Sequence, residues 1–377
     1  MNVEDLIAPH LREMQPYTPI VPFDVLTQRL GLSRDQIVKL DANENPYGPS
    51  PRALQALASA DTLHVYPDPD QRALRDAISH SISVPAEHIL CGAGVDEVID
   101  IIGRAFVSPG DAILDLPPTF GMYRFESDIL HAQYHDIPRR SDFSINVEAI
   151  IECANALPNA KLLFVANPNN PDGSLVSDVD LVRLLALPLV VVLDEAYIDF
   201  STQPSRVSWV QQYDNLIVLR TFSKLAGLAG LRVGYGIFPL IIIRHLWKIK
   251  QPYTPNVAGS IAAIAALSDP DYLRDIVQRL THERAHLVEV LGGFAWLRVY
   301  PSAANFLLCR VDEGMLRQLN PKLTSAKQLK LELELRGILV RYFDKEGLRD
   351  CIRISVGRPE DTARLVEAIS AITQESK

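Results

Sequence analysis

The sequence predicts an α/β fold: a mostly parallel sheet flanked by helices, followed by a smaller α+β unit. Three observations lead there. Short β-rich runs alternate with helical periodicities through the middle of the chain, the pattern of strand–helix–strand units. One run, Val190-Val-Val-Leu193, is continuously apolar and stops at Asp194, as a strand buried on both faces does. From about Pro255 onward the alternation gives way to one long helical pattern and a few short strands.

The first 40 residues lack the alternation and are rich in proline (Pro9, Pro16, Pro19, Pro22), so they are expected to wrap over the surface or join the smaller unit. Strand candidates follow at 88–91, 112–115, 161–166, 189–194, 216–220 and 232–237, with helical patterns at 96–106 and 179–187. Beyond them, residues 271–291 place Leu273, Ile276, Val277, Leu280, Leu287, Val288 and Leu291 on one helical face. Short strands are expected at 295–300, 305–310 and 351–356, and an amphipathic helix at 360–372. The division that results is 1–40 joining the small domain, 41–254 as the large domain and 255–377 as the small one.

Composition narrows the class. The chain has 377 residues, 47% hydrophobic and 22% charged, which suits a large globular protein with its own core. A net charge of −9 argues against nucleic-acid or anionic-membrane binding. Cys91, Cys153, Cys309 and Cys351 are far apart, which speaks against a disulfide framework or a zinc site and for a reducing cytoplasm. The first residues show no apolar signal region, and the longest apolar run, 184–193, is too short to span a bilayer and contains a proline. No metal site is expected.

In open parallel sheets ligands bind beyond the carboxyl ends of the strands. Four segments stand there. Residues 221–232 (TFSKLAGLAGLR) hold two hydroxyls, a lysine and an arginine. A deprotonated lysine forms Schiff bases, and hydroxyls with a guanidinium suit a phosphate. A solvated lysine beside a glycine turn explains the same letters. Asp194-Glu-Ala-Tyr197 puts a carboxylate at a strand end, where it needs a partner such as a pyridinium nitrogen or simply caps a turn. Asp-Glu after a strand is also a Walker-B-like signal, but no GxxxxGK[ST] accompanies it. Cys91-Gly-Ala-Gly-Val-Asp-Glu97 opens a helix and offers bare amides to an anion, or is a plain glycine turn. Asn167-Pro-Asn-Asn-Pro-Asp-Gly173 reads as a turn at a strand's end. None of the nine histidines falls in these motifs.

Together these segments resemble the fold-type I aminotransferases, which use pyridoxal 5′-phosphate, and within them the class II and histidinol-phosphate aminotransferase family. The resemblance also rests on LDANENPYGP (40–49), Tyr66-Pro-Asp-Pro, Pro118-Thr-Phe-Gly-Met-Tyr123, Gly337-Ile-Leu-Val-Arg341 and Ile352-Arg-Ile-Ser-Val-Gly357, and runs from about residue 10 to about 370. It implies that Lys224 bonds the cofactor covalently and moves the proton. Asp194 would pair with the ring nitrogen, Tyr197 and Asn170 with the ring oxygen, and Phe120 would stack on the ring. Ala93, Gly94, Thr221, Ser223 and Arg232 would hold the phosphate. Tyr66 would reach the cofactor of a second subunit, making a homodimer part of the site. Two positions depart from the family pattern: Phe120 stands where tyrosine is usual, and Asp172 where threonine is usual.

The same resemblance implies transamination between L-histidinol phosphate and 2-oxoglutarate. One site must then accept a phosphate and a carboxylate, which suits arginine's planar fork. Arg353 and Arg341 are the candidates, with Tyr17, Asn43 and Asn305 as further substrate contacts. Ion pairing with Asp344, Glu346 or Asp350 would also explain the two arginines. Aromatic aminotransferase, phosphothreonine decarboxylase and a non-catalytic amino-acid-binding protein are the alternatives.

Overall fold

The computed structural model describes residues 1–17 and 19–374. Twelve strands are assigned among them: β1 (Val38–Leu40), β2 (Ile89–Gly92), β3 (Ala112–Asp115), β4 (Gln133–Asp136), β5 (Ala160–Ala166), β6 (Val190–Asp194), β7 (Leu216–Thr221), β8 (Gly234–Ile237), β9 (Leu297–Val299), β10 (Phe306–Val311), β11 (Ile338–Tyr342) and β12 (Cys351–Ser355). They form a seven-stranded sheet, order β2-β8-β7-β6-β5-β3-β4, and a five-stranded sheet, order β1-β11-β12-β10-β9.

In the large sheet only β8 runs against its neighbours. The six strands expected from sequence are all present, within a residue or two at their ends. β4 was not foreseen: Gln-Tyr-His-Asp at a half-exposed sheet edge has no apolar alternation to announce it. Both faces of the sheet are covered. One face packs Leu114, Leu163, Val191 and Val218 into one core; the other packs Ile113, Leu162, Phe164 and Ile217 against helix Val95–Phe106. That helix buries Val98, Ile99, Ile101 and Ile102, and truncating one of these to alanine costs about 2–5 kcal/mol.

The small sheet collects strands from both chain ends. β1 lies in the proline-rich opening segment and pairs parallel with β11, so that segment does join the smaller unit. Helix Pro270–Gly292 buries Ile276, Leu280, Leu287 and Leu291 against this sheet, with the helix Pro359–Gln374 alongside. One boundary moves. The change of pattern near Pro255 does not mark the passage between units, because helix Val257–Leu267 places Ala262, Ala263 and Ala266 in the core of the large sheet. Its side chains are nearly all small and apolar, so it lies close to its neighbours: a Cβ on Gly259 would stand 2.6 Å from Val233.

Candidate active site

Three neighbouring parallel strands end at one level. Ala166 of β5 is in register with Asp194 of β6, and Asp194 with Leu219 of β7. The segments that follow therefore open onto one ledge. Phe120, Asn170, Asp194, Tyr197, Thr221, Ser223, Lys224 and Arg232, expected from sequence, all line a single cavity there. Ile20, Ala42 and Glu44 of the N-terminal region close its other side.

Asp194 is 5% exposed. Its carboxylate accepts from the Tyr123 hydroxyl at 2.7 Å and from the Ala196 amide at 3.0 Å. Burial nevertheless pushes its carboxyl above the ordinary range, against those bonds and the charge of Lys224. A protonated ring nitrogen is the kind of partner that reverses such a shift. Tyr123 is a functional residue that sequence reasoning quoted in a motif without giving it a role. Its ring stacks on Phe164 at 4.6 Å, which fixes the hydroxyl on Asp194. Lys224 Nζ stands 5.5 Å from the Tyr197 ring centre, with a 3.4 Å contact to the carbonyl of Ala42. The Phe120 and Tyr123 rings stand at right angles with centres 5.6 Å apart, and both residues line the cavity.

The amides left for an anion lie two residues further along than expected. The Ala93 amide donates to the Glu97 carboxylate at 2.5 Å, and the Gly94 amide to the carbonyl of Gly92 at 2.8 Å. Both are spent within the turn. The amides that open helix Val95–Phe106 are those of Val95 and Asp96, and both residues line the cavity. Gly94 is needed for a different reason. It has φ +81°, and a Cβ there would lie 2.4 Å from Arg232 Nη2, so only glycine lets the guanidinium lie across the turn. Arg232, Thr221 and Ser223 complete a cationic and hydroxylic pocket fit for a phosphate.

The small sheet touches this lining through Arg353, which bonds Asn170; neither Arg353 nor Arg341 lines the cavity itself. Arg353, on β12, is 6% exposed. It donates to Asn170 Oδ1 at 2.6 Å and to the Asp41 carbonyl at 2.7 Å, while its buried Nε has no partner. Burial, with neighbouring Arg341 contributing, pulls its pKa down to about 10. A buried guanidinium calls for a compensating anion. Arg341 is its cross-strand partner on β11, and the Phe343 ring lies under both guanidinium groups at 5.6–5.7 Å.

The remaining expected contacts fall elsewhere. Asn43, at φ 55°, is buried and links three elements. It donates to the Tyr197 hydroxyl at 3.1 Å, exchanges hydrogen bonds with Ser355, and accepts at its carbonyl from Asn305. Asn43 and Asn305 thus do not line the cavity: both Asn43 amide atoms and Asn305 Nδ2 are spent on these bonds, and Asn305 Oδ1 is buried without a partner. Tyr17 lies edge-on to Phe125 at 6.2 Å and is half-exposed. Tyr66 is 78% exposed, does not line its own chain's cavity, and stacks on Tyr253 at 4.4 Å. Asp172 is buried and turns back on its own loop, accepting from Asn169 and from the Ser174 amide at 2.8 Å. Its charge also opposes the burial of Arg139, so the departure at this position is absorbed by structure beneath the site. Glu195 points away into a cluster with Ser205, Arg206 and Arg220, which removes the Walker-B-like reading. Among the described residues no group of acidic, histidine or cysteine side chains could hold a metal.

A lysine, a buried aspartate, a stacking ring and a phosphate cradle on one ledge define a pyridoxal-phosphate enzyme, and the residues present fit that cofactor. The chain belongs to the aminotransferase class I and II family, whose model matches residues 35–369. It is 49% identical to histidinol-phosphate aminotransferase 1, chloroplastic, of Arabidopsis thaliana, over 97% of this chain and 85% of that one. It is 47% identical to histidinol-phosphate aminotransferase of Roseiflexus castenholzii, over 98% and 99%. Among solved structures, histidinol-phosphate aminotransferase from Sinorhizobium meliloti, in complex with pyridoxal 5′-phosphate, superposes with a TM-score of 0.86 at 26% identity, covering 98% of both chains.

Proposed function

We propose that this enzyme transfers the amino group of L-histidinol phosphate to 2-oxoglutarate, giving imidazole acetol phosphate and L-glutamate, in L-histidine biosynthesis. The observation that carries the choice of substrates is Arg353, a buried guanidinium bonded to Asn170 of the cavity lining and seconded by Arg341. Such a fork binds either a phosphate ester or a carboxylate.

Bound pyridoxal phosphate supplies the electron sink for the bond broken at the substrate's Cα. The protein does the rest. Lys224 would hold the cofactor's aldehyde carbon and is the base placed to move the proton at the substrate's Cα. Asp194, oriented by Tyr123, holds the proton on the ring nitrogen. Tyr197 and Asn170 bond the ring oxygen, and Asn43 locks the Tyr197 hydroxyl from behind. Val95, Asp96, Thr221, Ser223 and Arg232 anchor the phosphate. Arg353 and Arg341 orient the anionic end of each substrate.

The exposed patch of Leu63, Val65, Tyr66 and Tyr253 supports a homodimer in which Tyr66 reaches the neighbouring site. Sedimentation of the wild type and of Tyr66→Ala checks this. The four cysteines are unpaired, as suits a cytoplasmic enzyme, and no described helix is long and apolar enough to cross a membrane.

The test is a single-turnover screen of the cofactor-loaded enzyme. Loss of its visible absorbance is followed with histidinol phosphate, phenylalanine, tyrosine and phosphothreonine. Histidinol phosphate should be fastest by a wide margin. A faster aromatic substrate would reassign the enzyme to the aromatic aminotransferases, and carbon dioxide release from phosphothreonine to the decarboxylases. No visible band at all in the loaded wild type would leave only a binding protein.

A further inference from the structure

The phosphate cradle holds a charge of the wrong sign. Asp96 is the second residue of helix Val95–Phe106 and lines the cavity beside the amides that receive the phosphate. A carboxylate there repels a dianionic ligand. Its charge is felt inside the site, since it helps to raise the carboxyl of Asp194. A first-turn aspartate is favourable for a helix, but that effect is worth only a few tenths of a kcal/mol to about 1 and does not call for this location.

The geometry supplies a second role. Asp96 Oδ2 accepts from Arg232 Nη2 at 2.7 Å. Arg232 needs such a restraint. Its backbone is left-handed, at φ 53°, its side chain is half-exposed, and its other hydrogen bond is a 3.5 Å contact from Nη1 to the carbonyl of Ala229. The Nη2 end is the one that crosses Gly94, in the space a Cβ would fill. Held there, the guanidinium keeps its Nη1 edge for a phosphate. A free arginine side chain of this length has about 2 kcal/mol of rotamer entropy to lose on ordering, so restraint in advance favours binding.

We propose that Asp96 is a positioning residue for the cofactor's phosphate: it pre-orients Arg232 across Gly94, and the order it imposes outweighs its own repulsion. The effect is specific to the phosphate and passes through Arg232. The inference rests on pyridoxal phosphate being the cofactor, and its test separates the two.

Apo-enzyme is titrated with pyridoxal 5′-phosphate and, in parallel, with pyridoxal, which has the ring and aldehyde but no phosphate. Binding is read by absorbance of the lysine-bound ligand. Asp96→Asn keeps the shape and removes the charge that grips Arg232. It should raise the dissociation constant of pyridoxal phosphate roughly tenfold and leave that of pyridoxal unchanged. Arg232→Ala should weaken pyridoxal phosphate more strongly, and adding Asp96→Asn to it should change nothing further. Tighter or unaltered binding of pyridoxal phosphate by Asp96→Asn overturns the proposal, since repulsion would then equal or exceed the benefit. Equal weakening of both ligands also overturns it, as does an Asp96→Asn effect that persists without Arg232. A wild type that binds neither ligand instead refutes the cofactor assignment.

Discussion

The two walls of the cleft are built differently. The cofactor wall is a row of strand ends. β5, β6 and β7 are parallel and in register, so Asn170, Asp194 and Lys224 follow from where three strands stop. The proposed substrate side is assembled from pieces far apart in the chain. Arg353 and Arg341 meet across two antiparallel strands, and the support for Tyr197 comes from Asn43, Asn305 and Ser355. A strand end places a side chain by local geometry alone. A cross-sheet cluster places it only when both sheets have formed and docked.

This contrast sets the expected size of mutational effects. The largest belongs to the cofactor wall. Lys224→Ala removes both the covalent anchor and the proton carrier, so turnover should fall by at least ~10³-fold and the visible band of the loaded enzyme should vanish. A variant retaining both would break the account of this wall.

Asn43 is the joint between the walls. Asn43→Ala leaves the hydroxyls of Tyr197 and Ser355 each short of a partner, which should cost about 1–3 kcal/mol in denaturant unfolding and slow turnover about tenfold. Unchanged kinetics with lowered stability would confine Asn43 to the fold.

The smallest effect lies behind the cofactor wall, on the helix that carries Tyr123. Glu126 is buried, its Oε1 has no partner, and burial with the charge of Asp100 pushes its carboxyl up to about 7. The native state therefore holds this proton more tightly than the unfolded chain does. Its ionisation costs native stability progressively as pH rises from about 4.5 to about 7. Glu126→Gln, always neutral, should match the wild type below pH 4.5 and become the more stable of the two toward pH 7, with no further gain above. A gap that narrows with rising pH would reverse the sign argued here.

The contrast also explains what could be read from the amino-acid order. Val190-Val-Val-Leu193 ending on Asp194 announces a buried parallel strand with a charge at its tip, and the cofactor ledge follows from that rule. The helix-opening amides were placed two residues early, because Cys91–Glu97 does not reveal that Glu97 and Gly92 already take the Ala93 and Gly94 donors. β1 was hidden in a proline-rich stretch, since its partner β11 lies about 300 residues away. The helix Val257–Leu267 was assigned to the wrong unit for a related reason: its small residues fit either core, and only docking decides. Asn43 and Asn305 are expected as substrate contacts from the family resemblance alone, and no local pattern shows that they bond each other and Tyr197.

The division of labour between the walls is tested most directly by Arg353→Ala. In single-turnover experiments, the apparent dissociation constants of glutamate and of histidinol phosphate should each rise about a hundredfold, the loss expected for one side of a buried charged pair. The dissociation constant of pyridoxal 5′-phosphate, measured on the same protein, should stay at the wild-type value. Weakened cofactor binding with both substrate constants unchanged would contradict the account.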